Sequence, residues 1–276
     1  MLSFSRKEKK KLKNSKKTEI AIIGGTGFAD FLKNGEQIRV GTPYGLPPPM
    51  STGQVGGRDV AFLPRHGPHH SIPPHKVNYR ANIYALRRIG VKCVLATNAV
   101  GAINTEFKPG DLVIPHDLID FTKFRQPSFY EEAPVTHVDV TQLYCPEMRD
   151  LLIKESKKRS ARVWNRSVLV CTEGPRYETP AEIEMFRRLG ADVVSMTGTP
   201  EAVLARELEM CYATLCFVTN MAAGIQARLT ARELSEVAEE KIPIVQQVLR
   251  ETIGHLPKTR NCPCAHALEA ARLEVE

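Results

Sequence analysis

The amino-acid sequence predicts an α/β fold built as a single domain, a twisted β-sheet flanked by helices. Three observations carry this expectation. Short apolar runs bounded by Gly or Pro alternate with longer stretches whose apolar residues recur at helical spacing. Motif-like segments stand immediately before helix starts, where an open α/β sheet leaves unpaired backbone groups for a ligand. At 276 residues, 42 % of them hydrophobic, the chain can bury one full core.

The elements follow in order. Glu19 to Ile23 reads as a first strand that breaks into a glycine turn. Asp59-Val-Ala-Phe-Leu63, Lys92-Cys-Val-Leu-Ala-Thr97 and Asp111-Leu-Val-Ile114 read as further strands. Between them, Val77, Ala81, Tyr84, Ala85 and Ile89 form a helical stripe. Thr179-Pro-Ala-Glu182 has the form of a capping box with proline at the first helical position, and Thr199-Pro-Glu201 puts acidic charge into the first turn of the next helix. The apolar run Tyr212 to Thr219 ends at Asn220. Thr230 to His255 is helical in pattern, and Pro243 inside it predicts a kink or two shorter helices. Three segments result: a disordered basic tail over 1–17, the main domain over 18–256, and a C-terminal extension with a Cys-x-Cys motif over 257–276.

Charge and cysteines narrow the function classes. Of 38 basic and 31 acidic residues, eight and one lie within residues 1–17, so the remainder is balanced and the net +7 belongs to the tail. A balanced body without an aromatic stacking motif speaks against a nucleic-acid partner. No apolar stretch approaches the roughly 18–20 residues of a membrane span, and no apolar region follows the basic N-terminus, so a cytoplasmic protein is expected. Seven cysteines show no zinc-ribbon spacing and one close pair, Cys262-Pro-Cys264, whose nearest further ligand in sequence is His266. Free buried thiols and no metal site are therefore expected. His66, His69, His70 and His75 lie in a segment too rich in proline to be a metal-binding helix.

Gly24-Gly-Thr-Gly27 looks at first like a dinucleotide fingerprint, but Asp30 stands where the third glycine belongs. What remains is a tight loop able to hold one phosphate through backbone N–H groups and the Thr26 hydroxyl. Arg65-His66 would add a guanidinium capable of bidentate phosphate recognition.

Four segments in register, Ile22-Ile-Gly-Gly-Thr-Gly-Phe28, Leu63-Pro-Arg-His-Gly67, Glu173-Gly-Pro-Arg-Tyr-Glu-Thr179 and Met196-Thr-Gly-Thr-Pro-Glu-Ala202, extend the argument beyond single motifs. From Ile20 to about His255 the chain resembles the trimeric purine nucleoside phosphorylase family, specifically its methylthioadenosine phosphorylase branch. The resemblance implies a mixed sheet, a homotrimer with a hexamer as the alternative, no cofactor, and a nucleoside with inorganic phosphate as small-molecule partners. It implies a phosphate site at Thr26, Arg65, His66, Ala99 and Thr197. It implies a nucleoside site at Met196, Glu178, Asn220, Ala222, Tyr177, Leu234 and His137, the last reaching across a subunit boundary. Asn220 and His66 would be the catalytic pair. Some thermophilic relatives carry disulfides, which makes Cys145, Cys211, Cys262 and Cys264 candidates for them.

The base-reading residues sharpen this. A 6-oxopurine offers an acceptor at C6 and a donor at N1, and a 6-aminopurine the reverse. A neutral amide at Asn220 can donate towards N7 and O6, while a carboxylate at Glu178 can accept from N1–H. Adenine-specific relatives usually carry acidic residues where Asn220 and Ala222 stand and serine where Glu178 stands, so this chain departs from them at all three. Leu234-Ser-Glu-Val237 matches a signature whose nucleoside-type form begins with histidine, and the apolar leucine favours a 5′-methylthio group. The expected reaction is phosphorolysis of 6-oxopurine nucleosides: inosine, guanosine and/or methylthioinosine. The alternatives are a methylthioadenosine phosphorylase and, in another class, a nucleotide- or RNA-binding protein.

Overall fold

The computed structural model describes residues 18–272 apart from 26, 29, 33 and 229, so the basic tail over 1–17 lies outside the described residues. The centre of the fold is one long strand, β5 (Cys93–Ala102). Its first half pairs in parallel with β1 (Ile20–Gly24), and its last two residues pair antiparallel with β10 (Val193–Ser195). Along its other edge it pairs in parallel with β11 (Cys211–Met221). From β1 the sheet runs on through β4 (Arg58–Pro64), β3 (Met50–Val55) and β2 (Glu36–Ile38). From β10 it runs through β9 (Val168–Thr172) to β7 (Asp117–Phe121), and from β11 through β6 (Leu112–Val113) to β8 (Val163–Trp164). The sheet is mixed, eleven-stranded, and branches at β5.

Helices cover both faces. On one, Ile20, Ile22, Phe62, Leu95, Leu215 and Phe217 pack against α2 (Pro146–Lys157) and α5 (Ala231–His255). On the other, Ile23, Leu63, Val94 and Tyr212 pack against α1 (Tyr79–Arg88) and α4 (Glu201–Glu207). The fifth helix, α3 (Pro180–Arg188), lies over β9 and β10 through Ile183 and Phe186. No helix among the described residues is long and apolar enough to cross a membrane.

Several expectations are corrected here. The strand expected over Lys92–Thr97 continues to Ala102, because β11 supplies a pairing edge along its whole length. The strand expected over Asp111–Ile114 shrinks to Leu112–Val113, the two residues that have ladder partners, in β11 on one edge and β8 on the other. The helix through Pro243 is neither split nor shortened. Proline removes one backbone donor there, and burial of Val245, Val248, Leu249 and Ile253 against the sheet keeps the helix whole. The capping box forms in both directions: Glu182 N–H donates to Thr179 Oγ1 at 3.2 Å, and Thr179 N–H to Glu182 Oε2 at 2.8 Å. The next helix carries Glu201 in its first turn as expected, but its N-cap is Pro200, which has no side-chain acceptor, and the Glu201 carboxylate turns inward to Arg65.

Candidate active site

An open cleft with a volume of about 230 Å³ lies where these strands end. Gly25 after β1, Arg65 and His66 after β4, and Thr97 to Gly101 within β5 form one side. Tyr177 and Glu178 after β9, Met196 and Thr197 after β10, Thr219, Asn220 and Ala222 at the end of β11, and Leu234 in α5 form the other. Arg65, His66, Ala99, Thr197, Met196, Glu178, Asn220, Ala222, Tyr177 and Leu234 are therefore brought together as expected. Thr26 lies outside the described residues. His137 does not line the cleft of its own chain; it is exposed, and its backbone N–H donates to Ala271 O at 2.8 Å.

The polar corner of the cleft is built on buried partners. Arg65 is almost solvent-free, and its Nε and Nη2 donate to Glu201 at 2.8 and 2.7 Å while Nη1 donates to Thr97 O at 2.9 Å. The bidentate grip expected on phosphate is thus made on Glu201, and Arg65 meets the cleft through the Nη1 side of its guanidinium. Burial opposes the guanidinium charge, but the Glu201 carboxylate outweighs it and holds Arg65 above its ordinary value. Tyr212 OH also donates to Glu201 at 2.7 Å.

His66 is neutral. Burial first, then the Arg65 charge, pull it down to about 4. The Ile72 carbonyl, 2.9 Å from Nδ1, can only accept, so Nδ1 carries the proton and Nε2 keeps its lone pair. Stacking on the His70 ring, at 4.3 Å between centroids, fixes the plane of the imidazole. His69 and His70 hold positive φ of 53° and 56° to make that contact, a conformation non-glycine residues seldom adopt.

Thr197 is oriented through Asn98. Thr214 Oγ1 donates to Asn98 Oδ1 at 2.7 Å, which turns Asn98 Nδ2 towards Thr197 Oγ1 at 2.6 Å. With its oxygen occupied as acceptor, the Thr197 hydroxyl proton is left for a ligand anion.

At the opposite end, β11 carries a bulge: Val218 pairs with Val100 and Asn220 with Gly101, so Thr219 is an extra residue. The Thr219 hydroxyl donates to Asn220 Oδ1 at 2.7 Å, and Asn220 Nδ2 donates to Met221 O at 2.9 Å. One Nδ2–H then has no partner among the described residues. A Cβ on Gly101 would lie 3.1 Å from Nδ2, so glycine there gives the amide its room. Glu178 accepts from the Thr172 hydroxyl at 2.7 Å through Oε1.

Arg125, which sequence reasoning missed, ties the surrounding loops together. Nη2 donates to Thr172 O, Glu173 O and Met196 O at 3.0, 3.0 and 2.8 Å, and Nη1 to Thr199 O at 2.7 Å. One guanidinium thus fixes the start of the Glu178 loop against the Met196 loop. Asn98, Glu201 and Thr219 were also missed. Glu201 was visible as an acidic residue in the Met196–Ala202 segment, but nothing local distinguishes a first-turn helix charge from one turned inward.

A polar, anion-sized corner beside a slot ending in an amide and a carboxylate suits phosphorolysis, in which an attacking anion and a leaving base flank one sugar carbon. The chain belongs to the phosphorylase superfamily, whose family model matches residues 19–254, and it is a nucleoside phosphorylase. It is 50 % identical over 258 residues, 93 % of this chain and all of the other, to a Methanopyrus kandleri protein named "Probable S-methyl-5'-thioinosine phosphorylase". It is 50 % identical over 261 residues, 91 % of this chain and 98 % of the other, to the 6-oxopurine nucleoside phosphorylase of Pyrococcus furiosus. Among solved structures, a methylthioadenosine phosphorylase from an antarctic soil metagenomic library superposes with a TM-score of 0.87 at 35 % identity, covering 94 % of this chain and 93 % of that one.

Proposed function

We propose that this chain catalyses phosphorolysis of 6-oxopurine nucleosides: inosine, guanosine and methylthioinosine. A phosphate oxygen bonds to C1′ as the C1′–N9 bond breaks, and the electron pair leaves with the purine. Positive charge grows on the sugar and negative charge on the base, so groups that meet those charges act mainly in the transition state. Asn220 donates its remaining N–H towards N7, and Glu178 accepts from N1–H. Thr197 and the Nη1 side of Arg65 hold phosphate, and the lone pair of neutral His66 accepts from a protonated phosphate oxygen. Inorganic phosphate is the co-substrate, and the step calls for no cofactor.

The observation that carries this reading is the pairing of an oriented neutral amide, Asn220, with a carboxylate, Glu178, in one cleft. Leu234 lines the same cleft and supports acceptance of an apolar 5′-methylthio group. The test is phosphate-dependent base release, compared as kcat/KM for inosine, guanosine, methylthioinosine, adenosine and methylthioadenosine. Preference for the 6-oxo compounds is expected. A preference for methylthioadenosine would sink the reading and favour the second one, suggested by the methylthioadenosine phosphorylase structure and by Leu234.

The homotrimer implied by the family resemblance belongs to the same proposal, as does a cytoplasmic role in nucleoside salvage. A second copy would bring exposed His137 to a neighbouring cleft. Light scattering on the eluting protein tests this, and a monomer with full activity would overturn it.

A further inference from the structure

A second cavity, with a volume of about 340 Å³, lies at the opposite edge of the sheet from the cleft. Ile20 opens β1, Arg58 opens β4 and Cys93 opens β5, and all three line it. The cleft, by contrast, takes Gly25 and Arg65 from just beyond the far ends of β1 and β4. The remaining wall is mainly the segment that leaves α5, from Leu256 to Arg260.

The charge around this cavity is one-sided. Arg58, Lys92, Lys258 and Arg260 line it against a single carboxylate, Glu19, which is paired with Lys92. The other three cations have no carboxylate partner among the described residues. Backbone carbonyls hold the two guanidinium groups instead: Arg58 Nη1 donates to Leu256 O at 2.8 Å, and Arg260 Nη1 to Glu209 O at 2.8 Å. A carbonyl orients a guanidinium without neutralising it. In the cleft, Glu201 balances Arg65 before any ligand arrives; here the positive charges face one another, and an entering anion relieves their repulsion.

We propose that this cavity is a binding site for a small polyphosphate, free or carried by a nucleotide. Two oriented guanidinium groups offer planar pairs of N–H donors to phosphate oxygens, and Lys258 adds a point charge. Uncompensated cations converging from two walls suit several linked phosphoryl groups better than one carboxylate. No aromatic ring stands among the lining residues, so recognition rests on the phosphates and not on base stacking. The chain preceding Thr18 joins the body one residue before Glu19, and its eight Lys/Arg against one Glu add to the potential that draws anions to this face. The site is separate from the cleft and does not depend on the nucleoside assigned above.

The test is calorimetric titration of the full chain with tripolyphosphate and, separately, with ATP, both free of divalent cations. Saturable binding of both is expected. Tighter binding of ATP assigns the site to nucleotides, equal affinity assigns it to the phosphates alone, and no binding of either overturns the proposal. Lys258→Ala and Arg58→Met should each weaken binding by about tenfold, the share of one charge-assisted hydrogen bond. Glu19→Gln should tighten it, because the variant removes the lone carboxylate and frees Lys92. Lys258 is exposed, so its variant keeps the test decisive if Arg58→Met fails to fold. Affinity unchanged in both Lys258→Ala and Glu19→Gln would overturn the site. So would a loss of binding confined to a chain carrying Lys9→Ala, Lys10→Ala and Lys11→Ala, which puts the anion on the tail. Inhibition of phosphorolysis that is competitive with inorganic phosphate and unaltered by the cavity variants would place the polyphosphate in the cleft instead.

Discussion

Glu201 takes two parallel N–H groups of Arg65, and both side chains are shut away from solvent, at 1 % and 0 % exposure. A positive charge beside the anion corner is thereby balanced before any phosphate arrives. Glu201→Gln keeps the shape but leaves the guanidinium uncompensated, and breaking a buried pair from one side costs about 3–5 kcal/mol. The urea midpoint should fall accordingly with the slope unchanged. A midpoint equal to the parent's would mean that Thr97 O and solvent satisfy Arg65 without Glu201.

Asn220 bears on both rate and selectivity. Asn220→Ala should lower kcat on inosine by on the order of 10²–10³, the loss of one preorganised donor to a developing anion. Asn220→Asp should move the ratio of kcat/KM towards 6-aminopurines, because a carboxylate accepts where the amide donated. An alanine variant with unchanged kcat removes the residue from this role.

Arg125 touches carbonyl groups and not the substrate slot, so it acts by positioning. Lysine cannot reach Thr172 O, Glu173 O, Met196 O and Thr199 O at once, because an ammonium is a point charge where the guanidinium is a planar fork. Arg125→Lys should cut kcat/KM for nucleoside by on the order of 10², the effect of a misplacement near 1 Å, while KM for phosphate changes little. Equal losses in both would mean that Arg125 supports the whole cleft.

The neutral state of His66 has a signature in acid. Its folded value, about 4, lies below the ordinary 6.5 because burial and Arg65 disfavour the imidazolium. Between those two values the unfolded chain holds the extra proton. Stability from this residue is therefore fully present above about 6.5 and is lost as pH falls towards about 4. Denaturation curves across that window should slope upward with pH, and His66→Gln should flatten the slope. An unaltered slope in the variant would assign the acid sensitivity elsewhere.

Legibility followed the range of the interaction. The capping box at Thr179 and Glu182 closes within four residues, and it was readable from them alone. The cleft-lining residues in the four motif segments were readable through the family resemblance. Asn98, Glu201 and Arg125 were not, because their partners lie 99, 136 and 71 positions away at Thr197, Arg65 and Met196. The cysteines divide in the same way: spacing singles out Cys262-Pro-Cys264 alone, Cys145 and Cys211 joined them through the resemblance, and the fold places all four sulfurs within 4.8 Å of one another. Pro243 shows the opposite error, a strong local signal overridden by burial.

The extra residue at Thr219 makes base selection a matter of counting as well as chemistry. Opposite Val100–Gly101, β11 spends three residues where its partner spends two, so the residues on either side of the bulge keep their places opposite β5. Excising Thr219 would restore unbroken pairing and leave the asparagine opposite Gly101, but it would remove the hydroxyl that holds Asn220 Oδ1 and with it the aim of the amide. A donor of the same chemistry grafted onto an unbulged strand would lack that brace, so the residue inserted at 219 is as much a part of the specificity code as the letter at position 220.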